Sequence, residues 1–461
     1  MLDLAIRGGT IVTSSVRFVA DLGIENGKIC QIGGTISAER TIDAAGRLVL
    51  PGGIDPHVHL SKTDLWENAI DDFESGTIAA AAGGITTVGN MTDPNRGEDL
   101  MSSVIRVGED AKRNALVDFT QHPVLLDPST DNVSNFPKLV EAGITSIKIF
   151  TIDPFGPFDT RIDDYMRAMN AAARSGILCM VHCEDSSTIR FSEEKLRKEG
   201  KIESRFFAET RPDVSERIAT DRVIGISRIT GAPVYIVHIS SAASLAQCAS
   251  ARNEGTHVYV ETRPIYLYFT KDRYADADGA KFAAYPPLRA AEDMNALWRG
   301  IQRREVDTFG SDHNPWLLAQ KLDPKLNAFT VLAGMSSVET LLPSLFSEGV
   351  SKQRISLERF IGVTSSNPAK LLGMYPKKGT ITIGSDADLT IWDPKKREQI
   401  KSGELHSRAD FDLLEGWEIH GWPEYTISRG EVIFAKGQLE GKSGRGQQVK
   451  RSPFLPENYR E

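Results

Sequence analysis

The stretch "GITSIKIF", residues 143–150, reads as a short buried strand with one charged residue inside it. Isoleucine and phenylalanine occupy half of its eight positions, Gly143 begins it, and the Pro/Gly-rich "DPFGPF" follows shortly after. A strand that is apolar on both faces is typical of a parallel sheet covered by helices. Lys148 does not fit this pattern, because an unpaired buried ammonium loses hydration worth on the order of several kcal/mol. This stretch predicts one strand of a buried parallel sheet, and the presence of Lys148 inside it needs a chemical explanation.

The same strand type recurs through the middle of the chain, each time followed by a helix-like stretch. The eight strand candidates are "GGIDPHVHL", "ITTVGNM", "LVDFTQHPV", "ITSIKIF", "ILCMVHCED", "VYIVHISS", "HVYVETRP" and "VDTFGSDH". Helix-like segments such as "FESGTIAAAA", "RGEDLMSSVIRVGEDAKRN" and "RIDDYMRAMNAAARS" separate them. Eight strands alternating with helices predict an α/β fold, a (β/α)8 TIM-type barrel, over residues 51–375.

The two ends of the chain share a different texture. Residues 1–50 and 376–440 consist of short runs of alternating apolar and polar residues with glycine and aspartate turns. This is typical of antiparallel strands, and we expect one small β-sandwich built from both ends. Residues 441–461 form a polar C-terminal arm, which we expect to be either disordered or packed on a neighbouring subunit.

Composition excludes several classes of partner. The 461 residues are 40% hydrophobic and 25% charged, with a formal net charge of −8 and no basic patch. Nucleic acid and an anionic membrane are therefore not expected as partners. No signal peptide or long apolar run is evident, so we expect a cytoplasmic protein. The four cysteines lack the spacing of a zinc ribbon and are interpreted as reduced thiols.

Metal-ligating residue types gather at the predicted carboxyl ends of the barrel strands, where barrel enzymes carry their chemistry. These residues are His57, His59, Lys148, His182, His238 and Asp312. Each alone is weak evidence, since a buried histidine is commonly a core residue and an aspartate commonly caps a helix. Four imidazoles and a carboxylate converging on one mouth are typical of zinc or a similar divalent ion.

A metal centre supplies a reason for Lys148. An ammonium would be repelled by metal cations, whereas a lysine carboxylated by carbon dioxide becomes an anionic oxygen ligand that can bridge two ions. We therefore expect N6-carboxylysine at position 148. The alternative is an ordinary lysine in an internal salt bridge.

These residues together resemble the cyclic amidohydrolases of the amidohydrolase superfamily, above all the hydantoinase and dihydropyrimidinase group, with allantoinase and dihydroorotase as relatives. The resemblance covers nearly the whole chain. It is carried by "PGGIDPHVHL", "DDFESGTIAAAAGGITT", "GITSIKIF", "VHCED", "VHISS", "PPLR", "GSDHNP", "NPAKLLG", "KGTITIGSDADLTIWD" and "HSRADFDLLEGWEIHGWPEYTISRGEVI".

The resemblance implies two divalent ions, expected to be zinc, and a homotetramer. It implies that His57, His59 and Asp312 hold one ion, that His182 and His238 hold the other, and that carboxylated Lys148 bridges them. It also implies that a water activated between the ions attacks a ring amide carbonyl, with Asp312 as general base and then general acid.

Three departures from the hydantoinase pattern bear on the substrate. Asp153 stands where the group has an oxyanion-binding tyrosine, Tyr285 where it has a serine, and Ala333 where it has an asparagine. These departures lean toward allantoinase. Leu60 and Ser61 follow the histidine pair where dihydroorotase has an arginine, which argues against dihydroorotate.

Two further residues are predicted to bind the substrate, which we expect to be a neutral cyclic diamide or imide. Arg263 should face the mouth from the seventh strand, where the family usually has a cysteine, and Tyr285 should lie nearby. A salt bridge from Arg263 to a nearby acid, such as Glu261, is the alternative. For the whole chain, the alternatives are a non-catalytic relative used as an assembly module and a mononuclear deaminase or deacetylase.

Overall fold

The computed structural model describes residues 1–65, 70–152 and 157–459. These residues form strands at both ends of the chain and alternating strands and helices through its middle. The strands, β1–β19 in chain order, are Leu2–Arg7, Thr10–Val12, Arg17–Val19, Leu22–Glu25, Lys28–Ile32, Ala38–Asp43, Leu48–Pro51, Gly53–Val58, Ile85–Thr92, Asp118–Pro123, Ser146–Phe150, Leu178–His182, Val234–Ile236, Val258–Thr262, Thr308–Phe309, Leu389–Gln399, Glu418–Ser428, Glu431–Ala435 and Gln438–Leu439.

Helices separate the central strands. The α-helices, α1–α15 in chain order, are Phe73–Ala82, Leu100–Asn114, Thr130–Ser134, Phe136–Glu141, Ile162–Ser175, Ser186–Lys198, Phe207–Thr210, Asp213–Thr230, Ala242–Asn253, Pro264–Tyr268, Ala291–Gln302, Leu318–Lys321, Leu341–Leu345, Leu357–Ile361 and Asn367–Leu371. Two π-helical segments, Phe346–Ser351 and Gly362–Ser366, continue α13 and α14.

Eight strands, β8–β15, form a ring of parallel strands. The strands β8, β9 and β10 pair side by side, and β11 to β15 form a second parallel run. A parallel bridge from Val124 to Lys148 joins the two runs at one edge, and a bridge from Val58 to His313 joins them at the other. The predicted (β/α)8 barrel is confirmed.

Local sequence explains where the barrel helices begin and end. The predicted stretch for α2 starts at Arg96, but the helix begins at Leu100. Asp99 is the reason, because its side chain accepts hydrogen bonds from the backbone N–H groups of Met101 and Ser102, at 2.9 and 3.1 Å, and so caps the helix. Buried residues then recur every three or four positions along α2 and pack on the barrel.

The β-sandwich is built from both chain ends, as predicted. One sheet has the strand order β5-β4-β1-β6, and the other has the order β19-β18-β17-β16-β7-β2-β3. A shared apolar core contains Ile6 and Ile24 from the first end and Leu389, Ile391 and Ile427 from the second. Neither end buries its apolar face alone, so the two ends fold as one unit.

The C-terminal arm packs against the barrel of its own chain. The Phe119 N–H donates to the carbonyl of Gln447 at 3.0 Å, and the Val449 N–H donates to the carbonyl of Phe119 at 2.8 Å. Val449 and Phe454 are buried beside residues that fill the barrel interior. This arrangement differs from both sequence-based alternatives, because a few contact residues in a polar segment give little signal.

The domain boundaries at residues 50, 375 and 440 stay a prediction. The strand β7 crosses the first of them, since it runs from Leu48 to Pro51 and pairs with β16 of the sandwich. Among the described residues, no helix has the length and apolar character that crossing a bilayer requires.

Candidate metal centre and substrate cavity

All eight residues singled out from the sequence line one cavity of about 340 Å³ at the carboxyl ends of the barrel strands. They are His57, His59, Lys148, His182, His238, Arg263, Tyr285 and Asp312. The convergence follows from topology, because the carboxyl ends of parallel barrel strands meet at one mouth. The six polar groups proposed as ligands come from five different strands and lie up to 255 residues apart in sequence.

The first group of candidate ligands consists of His57, His59 and Asp312. Oδ1 of Asp312 lies 3.3 Å from Nε2 of His57 and 3.2 Å from Nε2 of His59. One donor atom from each residue lies within 4.8 Å of the others. Two imidazole nitrogens and a carboxylate oxygen at this spacing fit a single divalent ion.

The second group adjoins the first. Nδ1 of His182 lies 3.0 Å from Nε2 of His238, and the ring centroids of these two residues are 4.7 Å apart. The His238 ring is also stacked with the His57 ring at 5.5 Å between centroids. With the His57 and His59 ring centroids 5.4 Å apart, the four imidazoles form one continuous cluster.

Lys148 is fully buried beside this cluster, at 0% exposure. In the described part of the chain its Nζ has no hydrogen-bond partner, and it lies 5.0 Å from the centroid of the Phe150 ring. Burial lowers the pKa of Lys148 to about 8, against the attraction of Asp312 and Glu261. A lysine with a pKa of about 8 is partly in the neutral amine form near pH 7, and the neutral amine is a nucleophile. The salt-bridge alternative requires a carboxylate partner, and none among the described residues is hydrogen-bonded to this group.

Buried carboxylates hold two of the imidazoles from behind. Oε1 of Glu261 lies 2.8 Å from Nδ1 of His57, and Oε2 of Glu184 lies 2.8 Å from Nε2 of His182. Each contact leaves the other ring nitrogen directed at the cluster and sets the orientation of the ring, as carboxylates do for metal-bound histidines. Sequence reasoning missed Glu184 and considered Glu261 only as a partner of Arg263.

The two carboxylates are themselves fixed. Glu261 accepts a hydrogen bond from the hydroxyl of Tyr235 at 2.7 Å and from the N–H of His238 at 3.0 Å. Glu184 accepts two from the guanidinium of Arg211, at 3.0 and 2.7 Å. The spacing of "HCED", with an acid two residues after the histidine, was the available signal for Glu184.

The pKa shifts of the cluster differ from residue to residue. Burial lowers the pKa of His57 and of His238 well below the ordinary value, so both rings are neutral, which is the ligating form. Burial opposes protonation of His59 as well, but hydrogen bonds to Asp312 and Asp93 raise its pKa to about 9. Against the effect of burial, the charge of Arg263 and the hydrogen bond with His59 hold the pKa of Asp312 well below its usual range.

Arg263 faces the mouth and pairs with Asp312 instead of Glu261. Its Nη1 contacts Oδ2 of Asp312, and its Nη2 donates to the backbone carbonyl of Asp312 at 3.4 Å. Asp312 thus turns Oδ1 toward the histidines and Oδ2 toward the guanidinium. The alternative of a salt bridge to a nearby acid is thus present, but the acid is Asp312, because the Glu261 carboxylate is taken by His57, Tyr235 and the His238 backbone.

His238 and Asp312 both have left-handed backbone conformations, with φ of 41° and 49°. Such values are uncommon for residues other than glycine and concentrate at functional sites. His238 lies two residues after β13 and Asp312 three residues after β15, and both side chains line the cavity at the mouth.

Two of the three departures from the hydantoinase pattern lie on the cavity wall. The Tyr285 ring faces the guanidinium of Arg211, with 3.9 Å from the guanidinium carbon to the ring centroid. Ala333 lines the cavity, and its carbonyl accepts a hydrogen bond from the indole N–H of Trp316 at 2.9 Å. Asp153 lies outside the described residues.

A second group of acids has the spacing of a metal site but already contains a cation. The carboxylates of Asp118, Asp386 and Asp388 lie close together where the sandwich meets the barrel. Nζ of Lys378 lies among them, 2.8 Å from Asp118 and 3.3 Å from Asp386, and it also contacts Asp388. The group is a buried ion-pair cluster.

Residues 48–433 match the model of the amidohydrolase family. The chain belongs to the amidohydrolase family. It is 37% identical over 459 residues to a D-hydantoinase of Ralstonia pickettii, covering 98% of this chain and 100% of that protein. It is 36% identical over 461 residues to a D-phenylhydantoinase of Escherichia coli O7:K1, covering 99% of both.

Solved structures give the same result. The fold superposes on the dihydropyrimidinase of Brevibacillus agri NCHU1002 with a TM-score of 0.93, at 34% identity, over 98% of this chain and 99% of that one. The resemblance to the hydantoinase and dihydropyrimidinase group is confirmed, and with it the prediction of a hydrolase in place of a non-catalytic module.

Proposed function

We propose that this amidohydrolase opens neutral cyclic amides of the hydantoin, dihydropyrimidine or related imide type in a metal-dependent reaction. One observation carries the proposal: four imidazoles, Asp312 and the buried amine of Lys148 converge on a single cavity. The relatives named D-hydantoinase and dihydropyrimidinase support the substrate class.

The residues present fit two divalent ions, which we propose are zinc. Nε2 of His57 and Nζ of Lys148 are buried polar atoms without a hydrogen-bond partner among the described residues, as expected for groups that await a ligand. We propose that His57, His59 and Asp312 hold one ion and that His182 and His238 hold the other. When bound, such ions lower the pKa of water and polarise a carbonyl oxygen.

Lys148 is proposed to bridge the two ions as a carbamate. Its neutral amine nitrogen adds to the carbon of carbon dioxide, one proton is released, and the product is a carboxylate on Nζ. The geometry supports this, because the bare amine is fully buried, lacks a partner and lies beside four histidines. A carbamate would present an anion to the cations, whereas an ammonium would repel them.

Asp312 is proposed to move the proton during ring opening. Its carboxylate takes a proton from the attacking water as the new C–O bond forms, and it delivers that proton to the ring nitrogen as the C–N bond breaks. The contact with Arg263 fixes one oxygen of this carboxylate and leaves Oδ1 toward the cluster. The product is an N-carbamoyl or amide acid.

Arg263 and Tyr285 are proposed to contact the substrate, since both line the cavity. A planar guanidinium and an aromatic ring offer donors and a stacking face to a flat heterocycle. Tyr285 and Ala333 on the cavity wall also support a second candidate, allantoin, because they mark where this wall departs from the hydantoinase pattern. Following the resemblance, we propose a homotetramer, which light scattering would test.

A panel of cyclic amides tests the function. Purified protein with its metal content measured should open at least one of hydantoin, dihydrouracil, allantoin or succinimide and should be poor on dihydroorotate. Asp312→Asn should abolish turnover, and His59→Ala should lose metal and turnover. His257→Ala, at an exposed position outside the cavity, is the matched control and should retain both. Strong activity on dihydroorotate alone would overturn the proposal.

A further inference from the structure

Lys321 is a buried lysine outside the metal cluster, at 1% exposure, at the end of helix α12. Its Nζ donates to the carbonyl of Ala283 at 3.0 Å and to the carbonyl of Gly334 at 2.6 Å. Both acceptors are neutral backbone oxygens, and burial lowers the pKa of Lys321 well below its ordinary value. Burying a lysine among neutral groups costs free energy, and its two hydrogen bonds offset only part of that cost. The presence of Lys321 here therefore calls for an explanation.

The two acceptors belong to the two segments that form one side of the substrate cavity. Ala283 lies two residues before Tyr285, and Gly334 itself lines the cavity next to Ala333. The Gly334 N–H also donates to the carbonyl of Ala283 at 3.0 Å, so the segments touch through the backbone as well. Lys321 therefore ties together the two segments in which this chain departs from the hydantoinase pattern.

The second segment is held closely on its other side. Gly334 has a φ of +116°, and a Cβ at this position would lie 2.3 Å from the carbonyl oxygen of Asn314. The carbonyl of Ala333 is taken by the indole of Trp316. These contacts hold the Ala333–Gly334 segment on the side of Asn314 and Trp316. On its other side, the hydrogen bonds of Lys321 join this segment to the one that leads to Tyr285.

We propose that Lys321 is a positioning residue that sets the width of the substrate cavity and thereby its selectivity for ring substituents. It does not touch the substrate. It acts through the segments at Ala283–Tyr285 and Ala333–Gly334, whose separation it fixes. The kinetic part of this inference rests on the proposed function, but the structural part does not.

The variant Lys321→Met keeps the length of the side chain and removes both donors. Loss of both hydrogen bonds should raise KM by about tenfold, with kcat changed less than about threefold and metal content unchanged. The KM ratio between hydantoin and a hydantoin with a bulky 5-aryl group should shift toward the bulky substrate. Lys325→Met, an exposed lysine four residues on, is the matched control and should leave KM unchanged.

Amide hydrogen exchange of metal-loaded protein tests the same tie without a substrate. The Gly334 N–H should exchange faster in Lys321→Met than in wild type or Lys325→Met, while the amides of β11 stay protected. If Lys321→Met does not fold, Lys321→Gln, which keeps one amide donor group, should show the same changes to a smaller degree. Unchanged exchange of the Gly334 N–H in Lys321→Met would overturn the proposal. Equal changes in kcat and KM for every substrate, with no shift in selectivity, would overturn it as well. An inactive wild type with faster exchange in the variant would refute the proposed function alone.

Discussion

Two buried lysines in this chain have opposite surroundings. Lys378 lies where the sandwich meets the barrel, at 1% exposure, with three aspartates around its ammonium. Their charge raises its pKa above the ordinary value despite burial. Lys148 is equally buried at the barrel mouth, has no hydrogen-bond partner among the described residues, and has a pKa lowered to about 8. One lysine is an ion-paired cation, and the other is a buried amine without a hydrogen-bonded carboxylate among the described residues.

The partners of a buried lysine, more than its burial, decide its charge state. A buried lysine surrounded by carboxylates contributes to folding, because removal of either partner leaves an uncompensated charge. Lys148 has no hydrogen-bonded carboxylate among the described residues to compensate its charge, which is one reason for the proposed carbamate. We therefore expect Lys378 to matter for stability and Lys148 for activity.

Replacing each lysine by methionine should affect stability at position 378 and activity at position 148. Lys378→Met should destabilise the protein by about 3–5 kcal/mol, because it leaves three buried carboxylates without their cation. The folded fraction should retain its activity per molecule. Lys148→Met should reduce activity by about 100-fold or more while the stability of the metal-free protein stays equal or rises. Chemical denaturation and steady-state assays measure both, and a stability loss at Lys148 like that at Lys378 would remove the distinction.

Rescue by short carboxylic acids tests the proposed role of Lys148 as a carbamate. In Lys148→Ala, added acetate or propionate should restore part of the metal binding and activity, because a short carboxylate can occupy the space of the carbamate. The assay is activity against acid concentration at fixed metal. Lys378→Ala should show no such response, and equal responses in both variants would contradict the bridging role.

How far the sequence leads can be judged from particular residues. The barrel and the six candidate ligands are readable because strand periodicity locates the strand ends, and those ends meet at one mouth. The partner of His57 is not readable, since Glu261 lies 204 residues away and its choice between His57 and Arg263 depends on side-chain directions across neighbouring strands. The docking of the C-terminal arm and the tie through Lys321 depend on backbone acceptors, which leave no mark in the sequence.

The orienting carboxylates allow a third test. Glu261→Gln should weaken metal binding by about 10- to 100-fold, because the amide holds the His57 ring less firmly and adds no negative charge. Metal titration of the apo-protein measures this change. Glu254→Gln, at an exposed helix end, is the control, and an unchanged affinity in Glu261→Gln would show that the contact only fills space.

The smallest expected effect concerns Arg263. Arg263→Met should raise KM for the best substrate by about tenfold, with a smaller change in kcat from the lost contact with Asp312. Arg263→Lys should recover little, because a single ammonium does not reproduce the planar fork. If KM is unchanged while kcat falls, Arg263 acts only through Asp312, and its proposed contact with the substrate is wrong.

We propose above that Lys148 carries a carbamate when metal is bound. A crystal structure of the protein reconstituted with zinc and bicarbonate would show this modification. We expect electron density for a planar carboxylate on Nζ of Lys148, beside two ions held by His57, His59 and Asp312 and by His182 and His238. Density that ends at an ordinary amine in fully metal-loaded, active protein would contradict it.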